Sequence, residues 1–180
     1  HGGNMSKFTL PNGLKVGDKL FNLIEVDEIR GKHQNMLVNP NPKTPIDFVE
    51  PILTDLIIDL TNTEGESALE QVSKKDLILN KLPIQDIQFI MVKVREVSYG
   101  PDYLMDMVCP HCDKKNNARL DLAGLEVFPP EVKLEADKLI LPKENITFKY
   151  SHLTFGHVMK MVLEEGDSKF TDEMMTTLAS

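Results

Sequence analysis

Cys109 and Cys112 are the only cysteines in the 180-residue chain, and only Pro110 and His111 separate them. Two thiolates at this spacing on a tight turn point at one tetrahedral ion, so the pair is half the ligand set of a structural zinc site. A second Cys-x-x-Cys is absent from the sequence. His111 lies inside the turn and would point away from a metal held there. The groups that could complete a set are His152 and His157, about forty residues on, or the same turn of a second chain. The competing reading is a metal-free hairpin that keeps the shape of a zinc knuckle. A redox role is disfavoured, because the pair falls between two strands and no helix N-terminus is there to depress a thiol pKa.

Other groupings are weaker. Asp55 and Asp59 are four apart on an expected helix; Asp102 and Asp106 are four apart on an expected strand. Each pair shares a face, and both read as solvated carboxylates, not as acid/base pairs. Glu164, Glu165 and Asp167 read as an acidic helix end, and His33, flanked by Lys32 and Gln34, as exposed. The sequence has no G-x-S-x-G elbow, no H-E-x-x-H and no Walker loop, and Gly13-x-x-x-Gly17 is a turn, not a phosphate cradle. No catalysis is expected. Arg95 directly precedes a Ser-Tyr-Gly run, where its guanidinium could hold the loop through carbonyl oxygens.

The elements that must position these residues follow from pattern. Phe8 to Val16 reads as strand, Pro-Asn-Gly turn and strand, with Asn12-Gly13 as the hairpin signal. Leu20 to Val26 is apolar without a clear period, and Asp27 can cap a short helix to about Leu37. Three prolines make 39–45 a loop. Asp47 is expected to cap a helix with Pro51 in its first turn and Ile52, Leu53, Leu56, Ile57 and Leu60 on one face. Ser73 and Asp76 have capping-box spacing, and Leu82-Pro83 ends that helix. Ile84 to Val97 is the best helix, with Ile87, Ile90, Met91 and Val94 facing the core and Lys93 and Glu96 off that face. Gly100-Pro101 stops it.

Tyr103–Val108 and Asn117–Leu122 flank the cysteine turn as candidate strands. Val127 to Pro130 is a break, and Leu139–Leu141 with Ile146–Tyr150 suggests a second hairpin. Leu153 to Glu165 is helical, and Thr171 to Leu178 begins another helix that stops abruptly, so a longer native chain or a partner at that end is expected. The nine methionines read mainly as core filler, with Met159, Met161, Met174 and Met175 able to line a partner groove.

A net charge of −8 works against binding a phosphate backbone, and 6% aromatic content without tryptophan leaves little for base stacking. No run approaches the ~18 apolar residues of a membrane span. His1 to Asn4 resembles a tag remnant ahead of Met5, and no export signal follows, so a reducing cytoplasm is expected.

A helix ending in Val94-Arg95 and Ser98-Tyr99-Gly100-Pro101-Asp102-Tyr103, then a strand, then Cys109-Pro110 and Cys112, then a strand with Asp121-Leu122, resembles the baseplate hub assembly chaperone family of contractile-tailed phages of the T-even type. The specific match covers about a quarter of the chain, from Ile84 to Leu125. The resemblance implies a hub assembly factor or hub component that binds other tail proteins and catalyses nothing. It implies action in the host cytoplasm during assembly, with retention in the virion baseplate left open, as is a homodimer. The expected class is α+β: several helices with antiparallel hairpins, one carrying the Cys-Pro-His-Cys turn. Its parts are the remnant at 1–4, a mostly helical stretch at 5–100 after a short hairpin, a β-rich region at 101–150, and C-terminal helices at 151–180. Zinc at Cys109 and Cys112 is the one cofactor considered. The alternative function is a zinc-knuckle module recognising nucleic acid through Lys114, Lys115 and Arg119.

Overall fold

The computed structural model describes residues 6–38, 46–125, 138–141, 143, 146–149 and 151–165; residues 46, 47, 138–141, 148 and 162–165 are described by backbone alone. Strand β1 (Ser6–Val16) turns at Gly17-Asp18 into β2 (Lys19–Val26). Gly17 has φ +60, in the left-handed region that tight two-residue hairpin loops favour. The chain therefore does not reverse at Asn12-Gly13, as the sequence suggests. Those residues instead form an irregularity within β1, where the register against β2 shifts between Thr9 and Leu14. The reason is tertiary: the side chain of Asp86 takes up the backbone N–H groups of both residues. Gly13 is required there, with φ +75 and Phe21 O only 2.7 Å from where a Cβ would stand.

After β2 come α1 (Gly31–Val38) and α2 (Ile46–Leu56), then β3 (Ile57–Thr61), which pairs antiparallel with β2 to give a three-stranded sheet in the order β1-β2-β3. The helical spacing through Leu60 is thus misleading. Ile57 and Leu60 are fully buried as expected, but as strand residues, with Leu60 opposite Ile24. The Leu56 carbonyl, which would continue the helix, instead accepts from Asp27 N at 2.9 Å. Because α2 starts at Ile46, Pro51 lies inside the helix and not in its first turn.

A 3₁₀ turn at Ala68–Glu70 leads to the single turn α3 (Lys74–Asp76), which widens into a π-helical turn at Leu77–Lys81. Ser73 caps α3 as predicted, its hydroxyl accepting from Asp76 N at 3.2 Å. Helix α4 (Ile84–Tyr99) follows and buries Ile87, Ile90, Met91 and Val94 in the core that it shares with β1 and β2. Lys93, expected off this face, is also buried. Its ammonium sits 5.0 Å from the Phe8 ring centre and 5.6 Å from that of Phe89, and it pairs with Glu96 at 2.7 Å. The long stem packs as a hydrophobe while the head keeps a carboxylate.

Strands β4 (Asp102–Val108) and β5 (Lys115–Asp121) form one two-stranded antiparallel ribbon, and β6 (Lys138–Leu141) with β7 (Ile146–Lys149) forms another. Helix α5 (Phe155–Glu165) returns to the body. Ile84 N donates to Leu153 O at 2.7 Å, and a Cβ on Gly156 would stand 2.8 Å from Leu79 O, so α5 packs backbone-close on the π-helical turn. Phe155 and Met159 are fully buried there. The fold is α+β, as expected. Among the described residues no helix is long and apolar enough to cross a membrane. The loop expected at 39–45, the break at 127–130, the acidic residue Asp167, the helix at 171–178 with Met174 and Met175, and the segment 1–4 lie outside the described residues.

Candidate functional site

The last turn of α4 is where the recognisable run becomes a structure. Ser98 Oγ donates to Val94 O at 2.6 Å and accepts from Ile29 N at 2.8 Å, which ties the helix end to the segment after β2. Gln34 Nε2 donates to the Tyr99 hydroxyl at 3.2 Å. Gly100 closes the helix through Glu96 O at 2.8 Å, with φ +88, and the chain turns away. A glycine is required at this left-handed position although space around it is open. Arg95 is buried, its guanidinium 4.5 Å from the centre of the Tyr103 ring and 5.9 Å from that of Tyr99. One guanidinium nitrogen also reaches Asp102 O at 3.5 Å, so Arg95 does hold the loop through a carbonyl, and it stacks as well. On the other strand Leu122 N donates to Pro101 O at 2.8 Å, and the Leu122 side chain is buried. These contacts clamp the base of the ribbon.

Beyond that clamp the ribbon stands in solvent on both faces. Its register sets Tyr103 opposite Leu120, Met105 opposite Ala118 and Met107 opposite Asn116, so these residues share one face. Leu104 and Val108 lie on the other face, 72% and 57% exposed. The charges are diagonal: Arg119 binds the carboxylate of Asp102 with two nitrogens, one of them at 2.8 Å, and holds its pKa below the usual carboxylate value. Both partners are exposed, so the pair pins the register more than it stabilises the fold. Asp106, expected on the same strand face as Asp102, is there, and it too is solvated.

The cysteines occupy the connection between the two strands. Cys109 N donates to Lys114 O, and Asp113 N to Cys109 O, both at 2.9 Å. Asp113 has φ +54 and is the one non-glycine residue with positive φ among the described residues. The backbone N–H groups of His111 and Cys112, together with the Cys112 thiol, are directed at the Cys109 sulfur and hold its pKa below the ordinary thiol value. Both thiols are free, Cys112 exposed and Cys109 half-buried. The histidines considered as further ligands serve elsewhere. His157 and Thr154 make reciprocal capping contacts at the start of α5, at 3.3 and 3.4 Å, and His152 lies near enough to Asp86 to act on its charge. Among the described residues no three His, Cys, Asp or Glu side chains come together as a metal site.

Two polar sites escaped the sequence reading. His33 is buried, not exposed: Nδ1 accepts from Arg30 N at 3.0 Å, so the proton sits on Nε2, which lies 2.5 Å from Asp55. Lys32 reaches the same carboxylate at 2.5 Å, and first Lys32, then His33, hold Asp55 below its usual pKa. Nδ1 thus fixes the entry to α1, while Nε2 holds α1 to α2. Asp55 is not paired with Asp59, which lies on β3 and accepts from the Ser67 hydroxyl. The second site is Asp86, fully buried in the first turn of α4, which accepts from Asn12 N and Nδ2 at 3.1 Å and from Gly13 N at 2.7 Å. Burial pushes its pKa up against these donors. The Pro-Asn-Gly sequence was visible, but nothing in it shows that its N–H groups face a carboxylate 74 positions away.

The arrangement defines a class: an α+β body projecting an exposed two-stranded ribbon from the end of α4. The sequence model of the T4 bacteriophage base plate protein family matches residues 31–180, and the chain belongs to that family. No curated protein and no solved structure matches it.

Proposed function

We propose that this baseplate protein is a hub assembly factor, acting by binding other tail proteins and catalysing no reaction. The observation that carries this reading is the β4–β5 ribbon. Leu104, Met105, Met107, Val108 and Leu120 are all exposed on it, and its base is held rigidly by Arg95 and Leu122. Two strands alone are marginally stable in water, so such a ribbon gains most when a partner covers it. Methionines and branched apolar side chains rimmed by charge suit a surface that binds and later releases. Membership of the family supports a partner among phage baseplate proteins. The hub is the narrower reading, and it rests on the resemblance of the helix, Ser-Tyr-Gly and Cys-Pro-x-Cys run to hub assembly chaperones. Assembly in the host cytoplasm follows from it.

The test is co-expression of the full chain with each hub protein of its phage, followed by affinity capture and size-exclusion chromatography. A stable complex with a hub protein, lost in the double variant Leu104→Asp, Met107→Asp, is the expected result. Capture of no hub protein by the unaltered chain would remove the reading.

A further inference from the structure

The cysteine turn has the features of half a site. Two sulfurs converge, two backbone N–H groups already point at one of them, and the residue after Cys112 takes the left-handed conformation that closes the turn. N–H groups aimed at sulfur orient it as a ligand. Among the described residues no further His, Cys, Asp or Glu joins the pair to make a set of three. The chain's only other histidines besides the N-terminal His1 are His33, held by Arg30 and Asp55; His111, inside the turn; His152, beside Asp86; and His157, capping α5. No third cysteine exists.

We propose that Cys109 and Cys112 bind a zinc-class divalent cation together with the same two cysteines of a second copy of this chain, joining two ribbons tip to tip through a four-thiolate site. Reach permits this. Seven residues of strand carry the tip ~23 Å from the clamp at the helix end, so two tips can meet while the bodies stay apart. Charge favours it too. The chain as a whole is at −8, yet the tip carries Lys114 and Lys115 against the single acid Asp113. A divalent ion with four thiolates has a net charge of about −2. The excess of one positive charge on each of two tips balances it. Exposed Met107 and Val108 lie next to the cysteines and offer apolar surface for the pairing.

The test uses the full chain, reduced and freed of metal, titrated with zinc alone and followed by native mass spectrometry and sedimentation velocity. One zinc per two chains, with the dimer reverting to monomer on chelation, is expected. Cys112→Ser should weaken zinc binding at least 10-fold and abolish the zinc-dependent dimer, with an unchanged circular dichroism spectrum. Cobalt substitution of the unaltered chain gives a readout that does not depend on any variant folding: four-thiolate charge-transfer intensity is expected in the dimer. One zinc per monomer, a dimer that survives chelation, a two-thiolate cobalt spectrum, or no zinc bound would each overturn the proposal.

Discussion

Replacing Asp86 by alanine tests whether the bulge in β1 is held by a buried carboxylate. The side chain accepts three hydrogen bonds, two of them from the backbone N–H groups of Asn12 and Gly13. Alanine leaves those two N–H groups facing a cavity at the start of α4. A buried donor stripped of its acceptor costs ~1–3 kcal/mol, so two give roughly 2–6. The same change removes the cost of burying a carboxylate, which the raised pKa of Asp86 reveals, so the net loss is expected near the lower half, about 2–4 kcal/mol. Asp86→Asn keeps one oxygen acceptor and turns an NH₂ toward the remaining donors, so it should fall between wild type and alanine. Urea unfolding at pH 7, with slopes checked for equality, measures all three proteins. A loss under ~1 kcal/mol for Asp86→Ala would show that water or a shifted backbone satisfies the bulge, and would refute the reasoning. Combining Asp86→Ala with Asn12→Ala should give less than the sum of the two losses, because both remove the bond to Asn12 Nδ2.

The pH dependence of that same group has a definite sign. A carboxyl raised in the folded state binds more protons there than in the unfolded chain, so its contribution is fully present below 3.8 and is lost as pH rises through the folded value. The stability difference between wild type and Asp86→Asn, measured by urea unfolding from pH 4 upward, should therefore shift against wild type as pH rises; a shift in its favour would contradict the burial argument. Gly13→Ala should destabilise far more than Gly17→Ala. Both positions have positive φ, but a Cβ at Gly13 meets Phe21 O at 2.7 Å and at Gly17 meets nothing within 4 Å, so thermal melts should show a penalty of ~1 kcal/mol at Gly17 and several-fold more at Gly13. Arg95→Lys keeps the charge but loses the planar stack on Tyr103, and faster amide hydrogen exchange is expected in 102–121 than in the three-stranded sheet; uniform exchange across both would place Arg95 outside the clamp.

The sequence was most legible where local pattern and tertiary environment agree. Helix α4 reads correctly because its apolar residues repeat over four turns and Gly100 ends it. The Ser73 cap and both flanks of the cysteine turn read correctly for the same local reasons. Where distant groups decide, the reading fails. Asn12-Gly13 carries the composition of a turn, yet Asp86 recruits it as a bulge. Leu56, Ile57 and Leu60 carry helical spacing, yet pairing with β2 takes the last two into a strand. His33 is surrounded by polar neighbours in sequence, but Asp55, itself exposed, gives the buried ring a partner. For the candidate site, the two cysteines and the Ser-Tyr-Gly run were visible. That Arg95 would stack on Tyr103, and that the ribbon would stay exposed, was not, because burial belongs to the packed molecule.

The 74-position separation between Asn12 and Asp86 has a consequence for synthesis. A translating ribosome adds ~5–20 residues per second, so the N-terminal hairpin waits about 4–15 seconds before the carboxylate it needs has been made. Throughout that interval the Asn12 and Gly13 N–H groups must be hydrated, and β1 cannot settle into its final register. Of the described strands β1 leaves the ribosome first, yet its register settles late. A nascent chain stalled before Ile84 should therefore expose β1 to proteases that cannot cut it once α4 is in place.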